Sequence, residues 1–277
     1  MDENIKQLQA VDLAIVKEVI QICDNHNLLY YMIGGTMLGA IRHKGFIPWD
    51  DDIDIGMPRE DYEKFLEIAP RKFSSHLELV NYKTDPNYQY YITRVRDTTT
   101  KLEEIRIGND SKYTHASIDI FPLDGAPNNV VLRKIYYLRV MFHRAMMSLC
   151  YRDSIDEARK RSFKERILLF FLKKIPIHKI FNPIKEKNRI DKLMRKYPIE
   201  KSNEIGCLMG AYRTREMVPK VFFGNGEFYK FEDIEMRGPE KYHDFLSLVY
   251  GDYMKLPPKE SRKTHFKILE INDVKLN

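Results

Sequence analysis

Between Arg42 and Ile55 the chain reads Arg42-His43-Lys44-Gly45-Phe46-Ile47-Pro48-Trp49-Asp50-Asp51-Asp52-Ile53-Asp54-Ile55. Its last residues alternate acid and isoleucine, the period of a strand with one polar and one apolar face. Read as a strand over Asp52–Met57, the segment presents the carboxylates of Asp52 and Asp54 side by side while Ile53 and Ile55 face a core. Two anions that close repel by about 1 to 4 kcal/mol at the effective dielectric of a protein surface. A divalent, oxygen-seeking cation is the simplest way to offset that repulsion, and Mg²⁺ characteristically sits on one or two carboxylates plus substrate phosphates. An isolated acidic run is more often a solvated turn, but a turn has no need of interleaved isoleucines.

Upstream, Leu29–Ile33 reads as a short strand broken by Gly34-Gly35, and Thr36–Arg42 as a short helix capped by Thr36. A helix start offers backbone N–H groups to an anion, and glycine lets a phosphate approach the main chain. Gly34, Gly35 and Thr36 thus read as a phosphate cradle beside the carboxylate pair. Downstream, Ser117-Ile118-Asp119-Ile120-Phe121-Pro122-Leu123-Asp124 is again strand-like. Asp119, set between two isoleucines, completes a three-carboxylate metal site with Asp52 and Asp54.

The remaining pattern predicts an α+β protein. Leu8, Val11, Ile15, Val19 and Ile22 mark an amphipathic helix over residues 5–26, and Glu60–Ala69 resumes helical spacing. Strands are expected at Leu77–Tyr82, Tyr90–Val95 and Ser117–Phe121. Val130–Lys196 is helical in pattern with interruptions near Pro176 and Pro183. Phe223-Gly224-Asn225-Gly226-Glu227 reads as a hairpin turn, and Glu240–Tyr250 as a closing helix ending at Gly251. Three parts follow: a catalytic core over 1–127, a basic helical segment over 128–201, and a carboxy-terminal part over 202–277 that packs back on the core and completes it.

Composition narrows the function classes. The 277 residues are 43% hydrophobic and 31% charged, a soluble globular balance that excludes disorder. The longest apolar runs, Leu28–Ile33 and Ile167–Leu172, are far shorter than the roughly 20 residues a membrane-crossing helix needs. The acidic, polar start Met1-Asp2-Glu3-Asn4 lacks the apolar core of a secretory signal, so a cytoplasmic address is expected. Cys23, Cys150 and Cys207 are dispersed, which argues against a zinc ribbon or a disulfide framework. The net charge of +6 is unevenly spread: residues 131–201 hold 20 Lys+Arg against 7 Asp+Glu. That segment points to a polyanionic or membrane-surface partner. Within it Arg166–Lys174 joins an apolar run to flanking cations, as an interfacial helix does. A buried helix with a charged rim would read the same.

The block Gly34-Gly35-Thr36, Leu38-Gly39-Ala40-Ile41-Arg42 and Gly45-Phe46-Ile47-Pro48-Trp49-Asp50-Asp51-Asp52-Ile53-Asp54-Ile55 resembles the signature of the LicD family, phosphotransferases with a nucleotidyltransferase-type fold. The resemblance continues through Ile118–Asp124 to Tyr250-Gly251-Asp252-Tyr253 and Leu256-Pro257-Pro258. It implies a nucleotidyltransferase-like mixed sheet core, with Asp52 and Asp54 as paired metal ligands, Asp119 as the third acid, and Gly34, Gly35 and Thr36 against donor phosphates. The bacterial branch moves phosphocholine from CDP-choline onto cell-surface glycans or teichoic acids. The zinc-binding insertion of the more distant fukutin-related branch has no counterpart in the dispersed cysteines.

The reaction so implied is attack by a glycan or teichoic acid hydroxyl on a CDP-alcohol, releasing CMP, with one or two Mg²⁺, or Mn²⁺ in their place, on Asp52, Asp54 and Asp119. Asp119 is also the candidate acceptor of the hydroxyl proton. Arg42 leads the cations that would steady CMP, ahead of Lys44 and Arg94, although most such side chains are simply solvated. A choline headgroup requires aromatic faces, for which Trp49 and Tyr253 are the candidates. A lipid-linked acceptor would place the protein peripherally at the inner face of the membrane, through 131–201. Two other classes remain open from the sequence. One is nucleotidyl transfer from an NTP to RNA or a small molecule, disfavoured because no aromatic-basic module marks a nucleic-acid partner. The other is a non-catalytic metal-binding scaffold.

Overall fold

The computed structural model describes residues 3–104, 112–151, 180–262, 264, 266–271 and 274–275. Helix α1 (Glu3–Asn25) has the expected stripe, burying Leu8, Ile15, Val16, Val19, Ile22 and Cys23. Then come β1 (Tyr31–Met32), α2 (Gly34–His43), β2 (Asp54–Pro58), α3 (Arg59–Ile68), β3 (Leu77–Val80), β4 (Thr93–Glu104) and β5 (Lys112–Gly125). Helices α4 (Val130–Cys150) and α5 (Pro183–Met194) pack on each other. Four short strands follow, β6 (Glu204–Gly206), β7 (Met217–Pro219), β8 (Glu227–Phe231) and β9 (Ile234–Gly238). Helix α6 (Tyr242–Tyr250) and the strands β10 (Phe266–Ile271) and β11 (Val274–Lys275) end the chain.

The main sheet runs β1-β2-β5-β4-β10-β11, with β3 also on β4, β6 on β5 and β7 on β6; β8 and β9 form a separate hairpin. The pairing of β2 with β5 is parallel, and β4 lies antiparallel to β5. Such a mixed sheet, with helices laid on it, is an α+β architecture. The isoleucines that alternate with the acids do enter the core: Ile53, Ile55, Ile118 and Ile120 are all fully buried. No helix among the described residues is long and apolar enough to cross a membrane.

Several expectations are corrected by the backbone. The strand expected from Asp52 begins at Asp54, because Asp50 closes a turn (N–H to the Ile47 carbonyl, 2.9 Å) and Asp52 lies in the segment leading out of it. Thr36 does not cap α2: Gly34 already opens the helix, so Thr36 falls inside it and accepts from the Asp54 N–H at 2.8 Å. The strand expected at Tyr90–Val95 starts at Thr93, and Ser117–Phe121 is the middle of a longer strand. The hairpin is not at Phe223–Glu227, whose Gly224 and Gly226 bend a loop at positive φ; it turns at Glu232-Asp233, where Glu232 takes φ 54°. Glu232 also caps a distant turn by accepting from the Phe46 N–H at 2.9 Å. The interruption expected near Pro183 is present, with residues 181–182 outside any helix and Pro183 opening α5 behind the capping Asn182, while the one near Pro176 lies outside the described residues.

One polar cluster ties this frame together. Asp124, at the end of β5, is 2% exposed and is gripped by the fork of Arg59, whose Nε donates to Oδ1 at 2.8 Å and whose Nη2 reaches Oδ2. The same guanidinium donates to Asp191 on α5 at 3.2 Å and to the Tyr91 hydroxyl at 3.3 Å. Removing one member of a buried pair strands the other charge. Arg59→Met is therefore expected to cost about 3 kcal/mol, read as a lower urea midpoint. An unshifted midpoint would assign the cluster no structural weight.

Candidate active site

The parallel register of β2 and β5 sets Asp54 opposite Asp119 and Ile55 opposite Ile120. Neighbouring strands lie about 4.8 Å apart, so two separate stretches of sequence deliver adjacent carboxylates. The ladder continues one residue earlier, where Asp119 N–H donates to the Ile53 carbonyl at 2.8 Å. Asp54 is further fixed from the α2 side: its N–H donates to Thr36 Oγ1, and its carbonyl accepts from the Ile33 N–H at 3.2 Å. Asp52 adds its charge from the segment before β2. Burial and the charges of Asp52, Asp119, Asp50 and Glu216 together push the Asp54 carboxyl well above the usual range.

The start of α2 faces these acids. Its preceding residue, Ile33, supplies no side-chain cap, so the first-turn amides keep their capacity to bind an anion. Gly34 adopts φ +55°, and a Cβ built on it would fall 2.6 Å from Asp54 Oδ2. A Cβ on Gly35 would fall 2.6 Å from Asp50 Oδ2. The absent side chains are thus the space between helix start and carboxylates. Among the described residues, the acids whose carboxylate oxygens all lie within 4.8 Å of one another are Asp50, Asp51 and Asp52. Of the three acids expected from the sequence, Asp54 and Asp119 are brought together by strand register, and Asp52 belongs to this neighbouring group. An all-oxygen donor set with repelling charges suits a hard divalent cation.

The other sequence candidates fall at varied distances from this centre. Arg94 stands opposite Asp119 on β4, donates to Asp119 Oδ1 at 2.7 Å and lies over the Tyr90 ring at 4.3 Å. It is an ion-pair partner of the third acid. Arg42, in the last turn of α2, donates to His43 Nε2 at 2.9 Å and to the Tyr253 carbonyl at 3.0 Å, joining α2 to the carboxy-terminal part. Lys44 is exposed and ends α2 in the left-handed conformation at φ 63°. Trp49 already carries a cation, Arg262, 4.8 Å from its ring centroid, and Tyr253 is buried with its hydroxyl 2.9 Å from His243 Nδ1.

Two acids escaped the sequence reading. Asp12 on α1 is fully buried, and neither of its carboxylate oxygens has a hydrogen-bond partner. Burial first, and then Asp52, Asp51, Asp119 and Asp97, raise its pKa well above the ordinary value. Its signal was present, since Asp12 shares the helical face of Leu8 and Ile15. Glu216 sits across from α2 in a short turn of helix, accepting from the Tyr212 N–H at 2.6 Å. Burial pushes its carboxyl up to about 7.

A glycine-lined helix start set against carboxylates from two adjacent parallel strands defines a nucleotidyltransferase-type site. The family model for "LicD/FKTN/FKRP, nucleotidyltransferase domain" matches residues 27–182, and the chain belongs to that family. Lipopolysaccharide cholinephosphotransferase LicD of Haemophilus influenzae is 30% identical over 265 residues, covering 95% of this chain and 96% of that protein. Ribitol 5-phosphate transferase FKRP of Homo sapiens is 42% identical over 43 residues, only 16% of this chain and 9% of its own length.

Proposed function

We propose that the protein transfers phosphocholine from CDP-choline to a hydroxyl of a cell-surface glycan, releasing CMP. The observation that carries this reading is the register of Asp54 with Asp119 beside Asp52, opposite the uncapped, glycine-lined start of α2. The near full-length likeness to a lipopolysaccharide cholinephosphotransferase supports the choice of phosphocholine and of a lipopolysaccharide glycan as acceptor.

Asp52, Asp54 and Asp119 would hold one or two Mg²⁺, which when bound neutralise charge on the diphosphate oxygens. The remaining work belongs to the chain. The first-turn amides of α2 bind phosphate oxygens where Gly34 and Gly35 leave the main chain bare. Thr36 locks Asp54 to α2, so the carboxylate and the amides move as one unit. Arg94 orients Asp119 through Oδ1; Oδ2, 3.4 Å from the guanidinium, is the freer oxygen and can take the proton of the attacking hydroxyl. In the displacement a bond forms between the acceptor oxygen and the phosphorus bearing choline. The bond from that phosphorus to the bridging oxygen breaks, and CMP leaves with the electron pair.

The basic segment supports an acceptor carried on a membrane surface. Val131, Ile135, Leu138 and Phe142 line one exposed face of α4 at three- and four-residue steps. Arg166–Lys174 falls outside the described residues.

The test is incubation with CDP-alcohols or nucleoside triphosphates, with lipopolysaccharide acceptor and Mg²⁺, read by product mass. Choline-dependent CMP release that stops with EDTA or without acceptor is expected. Pyrophosphate release would replace this reading with nucleotidyl transfer, and neither product would leave a metal-binding scaffold.

A further inference from the structure

Across the site from the carboxylates, the carboxy-terminal part builds an aromatic corner. The rings of Tyr212 and Tyr250 meet at 75° with centroids 5.0 Å apart. Glu216 lies beside them, and it adds to the field that both tyrosines and Asp54 feel. Behind the corner is a cavity of about 20 Å³, lined among others by Gly34, Leu123, Tyr212, Glu216, Phe223 and Phe245. It is almost wholly apolar except for the glutamate, and it reaches Gly34, the residue packed against Asp54 Oδ2. A space that small admits a single water, so a ligand headgroup belongs at the mouth, where Tyr212 is 42% exposed.

We infer that Tyr212, Tyr250 and Glu216 form the seat for the quaternary ammonium of the transferred alcohol. A trimethylammonium group has no N–H to donate, so it is recognised by aromatic faces and by negative charge. Both are present here, and Tyr212 and Glu216 line the same cavity as Gly34 of the phosphate cradle. Gly210 keeps the place open for the glutamate, since a Cβ there would collide with both Glu216 carboxylate oxygens. The elevated Glu216 carboxyl fits an anion awaiting a cation, which would draw it back to the ionised form. Neither Trp49 nor Tyr253 offers a comparable corner, because Arg262 covers the first and the second is buried against His243.

This inference rests on the phosphocholine reading, and steady-state kinetics separates the two. The full-length chain is compared on CDP-choline and on the CDP ester of 3,3-dimethylbutanol, which has the same shape without the charge. The wild type is expected to prefer CDP-choline by about tenfold or more in kcat/KM. Glu216→Gln should raise KM for CDP-choline about tenfold, change kcat little, and bring the two donors close to parity. Tyr212→Leu, at a ring 42% exposed, should raise KM for CDP-choline in the same way. Folded variants that keep the wild-type preference overturn the seat while leaving phosphocholine transfer standing. A wild type that ignores CDP-choline overturns both.

Discussion

Asp54→Asn is expected to lower kcat by about a thousandfold or more, while the metal-free protein becomes as stable as the wild type or more so. The loss of turnover follows from position. Asp54 is the acid in register with Asp119, and both its backbone polar groups are committed, the N–H to Thr36 in α2 and the carbonyl to Ile33 just before it, which holds it against the helix start. Asparagine keeps the volume and one oxygen but cannot carry the charge a divalent cation needs. The stability half rests on the sign of the Asp54 shift. Its carboxyl is held above the ordinary value by burial and by Asp52, Asp119, Asp50 and Glu216. A carboxyl with a raised folded-state pKa opposes folding at pH values above that pKa. The penalty fades as pH falls toward the unfolded value, where both states are protonated. In EDTA the variant should therefore melt at or above the wild-type temperature at pH 7, with the gap narrowing on acidification. Adding Mg²⁺ should raise the wild-type melting temperature and move the variant much less. Full turnover combined with a lowered melting temperature would show a purely structural aspartate and remove the catalytic assignment.

The parts of this site that were legible in the sequence are those written in local periodicity. Asp54-Ile55 and Ile118-Asp119-Ile120 each lie in a strand with the acid and the isoleucines on opposite faces, and the pairing of these strands sets Asp54 beside Asp119, while Asp52 stays in the segment before β2. Gly34-Gly35 announces a turn that needs φ above zero, and Gly34 takes that conformation. What failed depended on register between distant strands. Nothing near Arg94 says that β4 will set it opposite Asp119 and convert a free cation into an ion-pair partner. Phe266 N–H donates to Asp51 Oδ2 at 3.0 Å across 215 residues, a contact no local pattern reports. Glu216 lies in a polar stretch, Arg213–Glu216, that reads as exposed; only the packing of Tyr212, Gly210 and Phe245 around it makes it a buried acid. The Asn225-Gly226 pair misled for a related reason. Positive φ is required there, but in a loop that Glu240 holds by accepting from the Asn225 N–H, and not between paired strands.

Gly34→Ala should cut kcat/KM by about a hundredfold while costing only about 1 kcal/mol of stability. Two separate costs meet at this residue. The φ of +55° disfavours any residue with a Cβ, which accounts for the stability loss. The Cβ itself would sit 2.6 Å from Asp54 Oδ2, so something has to give way. The backbone of Asp54 cannot retreat, because β2 pairs with both β1 and β5 and the Asp54 N–H is fixed to Thr36. The carboxylate must swing instead, and that carboxylate is the group the chemistry needs. The fold is therefore spared where the reaction is not. Gly35→Ala provides the contrast: its Cβ meets Asp50 Oδ2 at the same distance, but Gly35 is not at positive φ. Asp50 stands in the turn before the strand, where its carboxylate can shift without disturbing the Asp54–Asp119 register. The second substitution should therefore cost several-fold less activity than the first. Equal losses for both would mean that crowding of the phosphate cradle, rather than displacement of Asp54, governs the rate. Wild-type kcat/KM in a folded Gly34→Ala protein would separate the helix start from the reaction altogether.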